Sequence, residues 1–328
     1  MKIVVDAMGG DFAPQNVVAG VVEAVNEYKV TVTLVGIQER IEEELKKHQY
    51  PKELIEIVHA PDVVAMHEAA TVVIRQKKQS SISIGMGLLK KEGYSAFVSA
   101  GNTGACVAAS TFILGMIPGV DRPGIGCIFP SLKKFTLMID VGANTAAKPE
   151  HILQYAKMAK VYAQAVLGRT NPTVGLLNIG EEECKGTGLE QEAHKLLEEK
   201  EPCFVGNVEA NEVFTGETDC IVCDGYAGNI TLKVAEGLME SAGKLLKREI
   251  LKRPIAVLGA LLLKSSLKEA KKSVDYSEYG GAPLLGVDGL VLISHGRSSP
   301  KAIKNAVRNA KEEIEHNVLE KIKEEMAK

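Results

Sequence analysis

Short apolar runs alternate with longer stretches in which apolar residues recur every three to four positions, from one end of the chain to the other. The runs at residues 2–5, 95–98, 135–139, 174–177, 220–223 and 290–293 have the length and composition of strands. The longer period predicts helices over residues 15–28, 38–48, 80–92, 102–116, 150–167, 189–200, 229–252 and 300–328. Pro14 precedes the first of these, and a proline at a helix start is well tolerated. No repeat, low-complexity tract or linker interrupts the alternation. It predicts one α/β domain over residues 1–328, a three-layer α/β/α sandwich with a mostly parallel sheet.

Each strand run stops at polar and glycine residues. The stops read Asp6-Ala7-Met8-Gly9-Gly10-Asp11, Ser99-Ala100-Gly101-Asn102-Thr103-Gly104-Ala105 and Asp140-Val141-Gly142-Ala143-Asn144. Further along come Asn178 to Thr187, Asp224-Gly225-Tyr226-Ala227-Gly228-Asn229 and Ser294-His295-Gly296-Arg297-Ser298. In a parallel sheet such positions lie at the carboxyl edge, where ligands bind. Six turns on one edge are expected to line a single cleft. The Ser99 turn is the most telling, because it reads as strand, glycine turn and helix start. Gly101 and Gly104 let amide groups converge, and a helix N-terminus favours an anion such as phosphate. Asn102 and Thr103 are expected to add side-chain donors. For any one turn, a tight connection without a ligand is the alternative.

Composition narrows the chemistry. Charged residues are 25% and hydrophobic ones 45%, with a formal net charge of -3. That is an ordinary globular balance, without the basic surplus of a general nucleic-acid binder. The chain runs straight into a strand, so no signal peptide is expected. The six cysteines are scattered through apolar stretches, which suits a reducing, cytoplasmic setting. Cys220 and Cys223 share a strand run and are expected in the core on opposite faces. There is no Walker A loop, no dinucleotide fingerprint after the first strand, no nucleophile elbow and no His-Glu-x-x-His motif. No cofactor and no metal are therefore expected. Lys185, Asn229, His295 and Arg297 remain available to an anion. Each has a plainer alternative: a solvated loop lysine, a helix cap, a histidine held by a backbone bond, and an exposed loop charge.

Residues 247–272 stand apart. Their apolar centre, residues 255–263, is far below the ~20 residues that span a bilayer. Lys247, Arg248, Lys252 and Arg253 flank it on one side, and Lys264, Lys268, Lys271 and Lys272 on the other. Two readings stay open, an anionic membrane surface with Leu258 and Leu262 as contacts, or a helix at a subunit interface.

The turns at Asp6–Asp11 with Pro14, Ser99–Ala105, Asp140–Asn144, Asp224–Asn229 and Ser294–Gly296 together resemble the bacterial phosphate acyltransferases of phospholipid synthesis. The resemblance runs over nearly the whole chain in motif order. It implies a fold like that of phosphotransacetylases and isocitrate-dehydrogenase-like enzymes. It also implies transfer of a fatty acyl chain from acyl carrier protein to inorganic phosphate. The acyl phosphate would pass to a membrane acylphosphate:glycerol-3-phosphate acyltransferase, from a homodimer held peripherally at the membrane. Phosphate is then the nucleophile, which accounts for the missing elbow. Gly101, Asn102, Thr103, Gly104 and Asn144 would hold it, and Lys185, Asn229 and His295 would form the catalytic set. Asp6, Gly9, Gly10, Asp11, Asp224, Gly228 and Arg297 would line the cleft, although the resemblance assigns Arg297 no role. A phosphotransacetylase using acyl-CoA and a non-catalytic acyl-thioester sensor are the rival readings.

Overall fold

The computed structural model describes residues 1–273 and 280–328, without the side chains of Lys134, Leu267 and residues 270–273. The side chains of Lys271 and Lys272 thus lie outside the description. In the first part of the chain the strands are β1 (Lys2–Asp6), β2 (Thr31–Gly36), β3 (Ile55–His59), β4 (Ala96–Ser99), β5 (Gly124–Ser131) and β6 (Lys134–Ile139). They are followed by β7 (Val174–Asn178), β8 (Phe204–Glu209), β9 (Cys220–Val222), β10 (Ala282–Leu285) and β11 (Val291–Ile293). The helices are α1 (Gln15–Tyr28), α2 (Gln38–Leu45), α3 (Val72–Arg75), α4 (Ser81–Leu89), α5 (Thr103–Ala109) and α6 (Pro149–Ala165). After these come α7 (Gly188–Lys200), α8 (Gly225–Leu251), α9 (Pro254–Leu262), α10 (Lys264–Ser273), α11 (Pro300–Glu315) and α12 (Val318–Met326).

The eleven strands of the described residues join one sheet in the order β3-β2-β1-β4-β11-β10-β5-β6-β9-β7-β8. Strand period decides which core each side chain enters. Ile3, Val5, Leu137, Ile139, Cys220 and Val222 face one core, under α1, α6, α7, α11 and α12. Val4, Met138, Ile221 and Cys223 face the other, with α4, α5 and the start of α8. Cys220 and Cys223 do occupy opposite faces. The architecture is the three-layer α/β/α sandwich that the alternation predicts, with a mostly parallel sheet.

Direction is where the structure departs from expectation. β1, β2, β3, β4 and β11 run parallel to one another, and so do β6, β7, β8 and β9. Between the two sets, β11–β10, β10–β5 and β5–β6 are all antiparallel. Three reversals make the two sets run oppositely. The turns after β1, β4 and β11 therefore leave one edge of the sheet, and those after β6, β7 and β9 leave the other. The single edge expected from sequence is corrected to two.

Two helices also differ from their sequence reading. The C-terminal pattern is two helices, because Asn317 adopts a left-handed φ of 52° between α11 and α12. α8 begins at Gly225, so its cap is Asp224, whose Oδ1 accepts the Ala227 amide at 2.9 Å. Asn229 lies one turn inside the helix and is not its cap.

Candidate active site

At the first edge three turns lock together. The Asp6 carboxylate is buried at the end of β1, where Oδ1 accepts the Met8 amide at 3.1 Å. Ser99 Oγ donates to Asp6 Oδ2 at 2.7 Å and accepts the Gly101 amide at 2.9 Å. This hydroxyl ties the carboxylate of one turn to the backbone of the next. Gly9 has no room for a side chain, since a Cβ would stand 2.6 Å from both Asp6 Oδ2 and the Gly101 nitrogen. Gly10, at φ +100°, packs on the Gly296 carbonyl, which also accepts the Asp11 amide at 2.8 Å. Burial raises the Asp6 pKa from its ordinary value against the opposing bonds from Ser81, Ser99 and two amides. Burial also pushes the Cys106 thiol up to about 12, which leaves it without nucleophilic character.

α5 begins directly after this turn. Asn102 Oδ1 accepts the Ala105 amide at 2.9 Å as an N-cap. Its Nδ2 donates to the carbonyls of Ala65, Met66 and Glu68 at 3.2, 3.1 and 2.9 Å. Glu68 in turn accepts the Ala65 amide and Lys77 Nζ, so the 65–71 loop is stitched down beside α5. Asn102 was expected as a phosphate donor; its side chain is instead spent on holding this loop. The amides of Thr103 and Gly104 meet no acceptor among the described residues.

At the second edge Asp140 ends β6. Its carboxylate accepts four amides, those of Ile125, Gly142, Ala143 and Asn144, at 2.7 to 3.1 Å. Its own carbonyl lies where a Cβ on Gly228 would stand, and its Oδ2 lies 2.7 Å from a Cβ built on Gly225. Only glycine lets α8 start this close to the Asp140 turn. Asn229 follows, its Oδ1 3.7 Å from a Cβ built on Gly142. Asn144 was also expected as a phosphate donor. Its Nδ2 lies 3.2 Å from both His151 Nδ1 and Tyr155 Oη, inside the protein.

Lys185 sits in the loop between β7 and α7, next to the β9 turn in sheet order and so at this second edge. Asn178 Nδ2 donates to its carbonyl at 3.2 Å, and its half-exposed ammonium lies 3.9 Å from Glu182 Oε2. Lys185 is thus grouped with Asn229 and not with the Gly101 turn.

α8 links the two edges. Asn229 and Glu236 are seven residues apart, about 10 Å along the helix axis. Burial holds the His295 imidazole below its ordinary range, and the charges of Lys233 and Arg297 push the same way against Glu236 and Asp11. Arg297 also acts on Glu240, one turn further along α8. His295 Nδ1 accepts the Arg297 amide at 3.1 Å, so the neutral ring carries its proton on Nε2. Ser99, Lys233 and Glu236 are site residues that sequence reasoning missed. The available signals were a hydroxyl closing an apolar run and an i, i+3 charge pair two turns into α8. Among the described residues the trio of metal-ligating side chains is Glu183, His194 and Glu198, with Glu183 on the loop that carries Lys185.

The family model for a fatty acid synthesis protein matches residues 1–321. A phosphate acyltransferase of Pelobacter propionicus is 47% identical over 327 residues, covering 100% of this chain and 94% of that protein. One from Alkaliphilus oremlandii is 48% identical over 324 residues, covering 99% and 97%. Among solved structures, a phosphotransacetylase from Streptococcus pyogenes aligns with TM-score 0.63 at 16% identity, covering 98% of this chain and 94% of its own. The EutD phosphotransacetylase of Staphylococcus aureus aligns with TM-score 0.62 at 17% identity, covering 95% and 94%. At such identities the structural likeness speaks to fold.

Proposed function

The chain belongs to the bacterial phosphate acyltransferase family, and we propose that it moves a fatty acyl chain from acyl carrier protein to inorganic phosphate. The observation that carries this reading is the pair of amides at Thr103 and Gly104, which have no partner among the described residues, beside a turn fixed by Ser99 and Asp6. A phosphate there meets backbone donors and the positive end of α5. Gly101 and Gly104 shape the cradle, with Asp6, Gly9, Gly10 and Asp11 behind it.

One phosphate oxygen attacks the thioester carbonyl and forms a tetrahedral oxyanion. Preorganised donors stabilise that charge, and Asn229 and Lys185 across the cleft serve this role. His295 completes the catalytic set from the turn whose Gly296 carbonyl packs on Gly10. Collapse of the intermediate expels the carrier thiol, whose pKa of about 8.5 lets it leave as a thiolate and take up, through water, the proton that the phosphate gives up as acyl phosphate. The products are acyl phosphate and free carrier protein. Positioning and charge supply the catalysis, and Asp224 and Gly228 set the start of α8 that carries Asn229.

Two apolar surfaces support a homodimer at a membrane in the cytoplasm. Tyr226, Ile230, Val234 and Leu238 repeat every four residues on the exposed face of α8 and suit a second copy. Beyond it, Ile255 is 87% and Leu262 80% exposed on α9, with Leu258 between them and basic residues on both sides. That tip suits an anionic bilayer surface, and delivery of a long-chain product to a membrane acylphosphate:glycerol-3-phosphate acyltransferase. Among the described residues no helix is long and apolar enough to cross a membrane.

One assay tests the reading. Acyl carrier protein loaded with a fatty chain is incubated with and without phosphate, and free thiol is counted. Release that needs phosphate is expected; release without it, or none, overturns the proposal. A chain carrying Leu258→Glu and Leu262→Glu should keep this turnover and lose binding to anionic vesicles.

A further inference from the structure

We propose that Glu183, His194 and Glu198 form a binding site for a divalent transition ion of the zinc class, on the loop that carries Lys185. His194 and Glu198 are an i, i+4 pair on one face of α7, and Glu183 comes from the loop before it. One nitrogen or oxygen from each lies within 4.8 Å of the others.

The histidine distinguishes this trio from a group of surface acids. It is only 5% exposed, wedged edge-on against Phe204 with ring centroids 5.1 Å apart. Its Nδ1 lies 2.9 Å from Asn207 Oδ1. The Asn207 amide is itself oriented, because Nδ2 donates to the Glu182 carbonyl at 2.9 Å. Oδ1 must therefore face the ring, and Nδ1 must be the donor. The proton is fixed on Nδ1, which leaves Nε2 as the nitrogen with a lone pair for a cation. Such an outer bond to the second ring nitrogen is what orients a metal-ligating histidine.

A lone pair and two carboxylates converging on one point favour a cation. An imidazole nitrogen with two carboxylate oxygens suits zinc and its first-row neighbours better than calcium or magnesium. Ligands at about 2.1 Å from a tetrahedral ion stand roughly 3.4 Å apart. Glu183 and Glu198 are both exposed, so rotation of their side chains closes the remaining distance. With the ion bound, Glu183 is drawn to α7. That fixes the backbone two residues before Lys185, so the site would set the position of the ammonium.

The test is zinc titration by calorimetry, with cobalt absorption as a second readout, on the full chain carrying Cys184→Ser to remove the neighbouring exposed thiol. One equivalent per chain is expected. Glu183→Gln with Glu198→Gln should weaken binding at least tenfold with an unchanged circular dichroism spectrum. Asn207→Ala, which leaves all three ligands in place, should weaken it about 10- to 100-fold. Absence of stoichiometric binding, or equal binding by the double glutamine variant, overturns the site. Binding is read without turnover, so this result is independent of the acyl-transfer assay.

Discussion

Asp6 and Asp140 end β1 and β6, the first strands of two oppositely running halves of the sheet, and burial raises the pKa of both. Their bonds differ. Asp140 is filled by four amides, three of them from its own loop. Asp6 accepts the Met8 amide and, through Ser99 Oγ, reaches the Gly101 amide of a neighbouring turn. A carboxylate filled mostly by its own loop holds that loop to the start of a neighbouring strand, β5. A carboxylate bonded through a hydroxyl sets the geometry of a second turn, here the one beside the open amides of Thr103 and Gly104. In the proposed reaction the second edge then positions α8 and Asn229, and the first is the wall that holds phosphate.

The largest effects should come from filling the two glycine contacts. Gly228→Ala drives a methyl group into the Asp140 carbonyl, with backbone on both sides. We expect a loss of about 3 kcal/mol or more in unfolding free energy, enough to deplete folded protein. Gly9→Ala meets Asp6 Oδ2 and the Gly101 nitrogen at 2.6 Å, a milder overlap than that at Gly228. Its stability loss should be nearer 2 kcal/mol, but displacement of the Gly101 turn should lower kcat/KM by about 100-fold. Denaturant melts and steady-state rates on both variants decide the matter. A stable Gly228→Ala, or a fully active Gly9→Ala, would reverse the assignment of wall and scaffold.

Polar substitutions sharpen the same contrast with smaller effects. Asp140→Asn turns an NH2 group toward amides that need an acceptor, and should destabilise by about 2–3 kcal/mol. Ser99→Ala removes the hydroxyl between Asp6 and Gly101 and should cost about 1–2 kcal/mol. Its turnover should fall at least tenfold, with the larger part in the KM for phosphate, because the cradle loses its support. If Ser99→Ala melts the protein and leaves the phosphate KM unchanged, the hydroxyl is scaffold as well.

Much of this contrast was legible in sequence, and the failures have physical causes. Glycines after apolar runs marked every turn, because glycine alone tolerates the approaches at Gly9 and Gly228. The period of two placed Cys220 and Cys223 in opposite cores. Strand direction was hidden, since it depends on which strands pair and not on local period. The reversal rests on β10, four residues long, and on β5, whose apolar run is interrupted by two glycines and Pro130. The side-chain roles of Asn102 and Ser99 were hidden too. Their partners lie 34 to 37 and 93 residues away along the chain, and only the fold brings them close.

The smallest effect separates the two edges by pH. His151, behind the Asp140 turn, and His295, beside the Gly101 turn, are both held below the ordinary value of 6.5, chiefly by burial. Each accepts a backbone amide at Nδ1, from Lys148 and Arg297 respectively, so each resists protonation there. As pH falls through 6.5 the unfolded chain takes up a proton before the folded one does. The stability from each neutral ring is therefore complete above 6.5 and declines below it, until the folded ring titrates as well. One proton limits the slope to about 1.4 kcal/mol per pH unit. Asn in place of His keeps an acceptor near Nδ1 and removes the titration. His151→Asn should flatten the acid limb of the stability curve and leave the shape of the kcat/KM profile alone. His295→Asn should lower kcat/KM at every pH and flatten its acid limb, because the ring beside the Gly101 turn is lost. Parallel pH profiles of unfolding and turnover make the check, and a flattened activity limb in His151→Asn would place that ring in the chemistry beside Asn229 and Lys185.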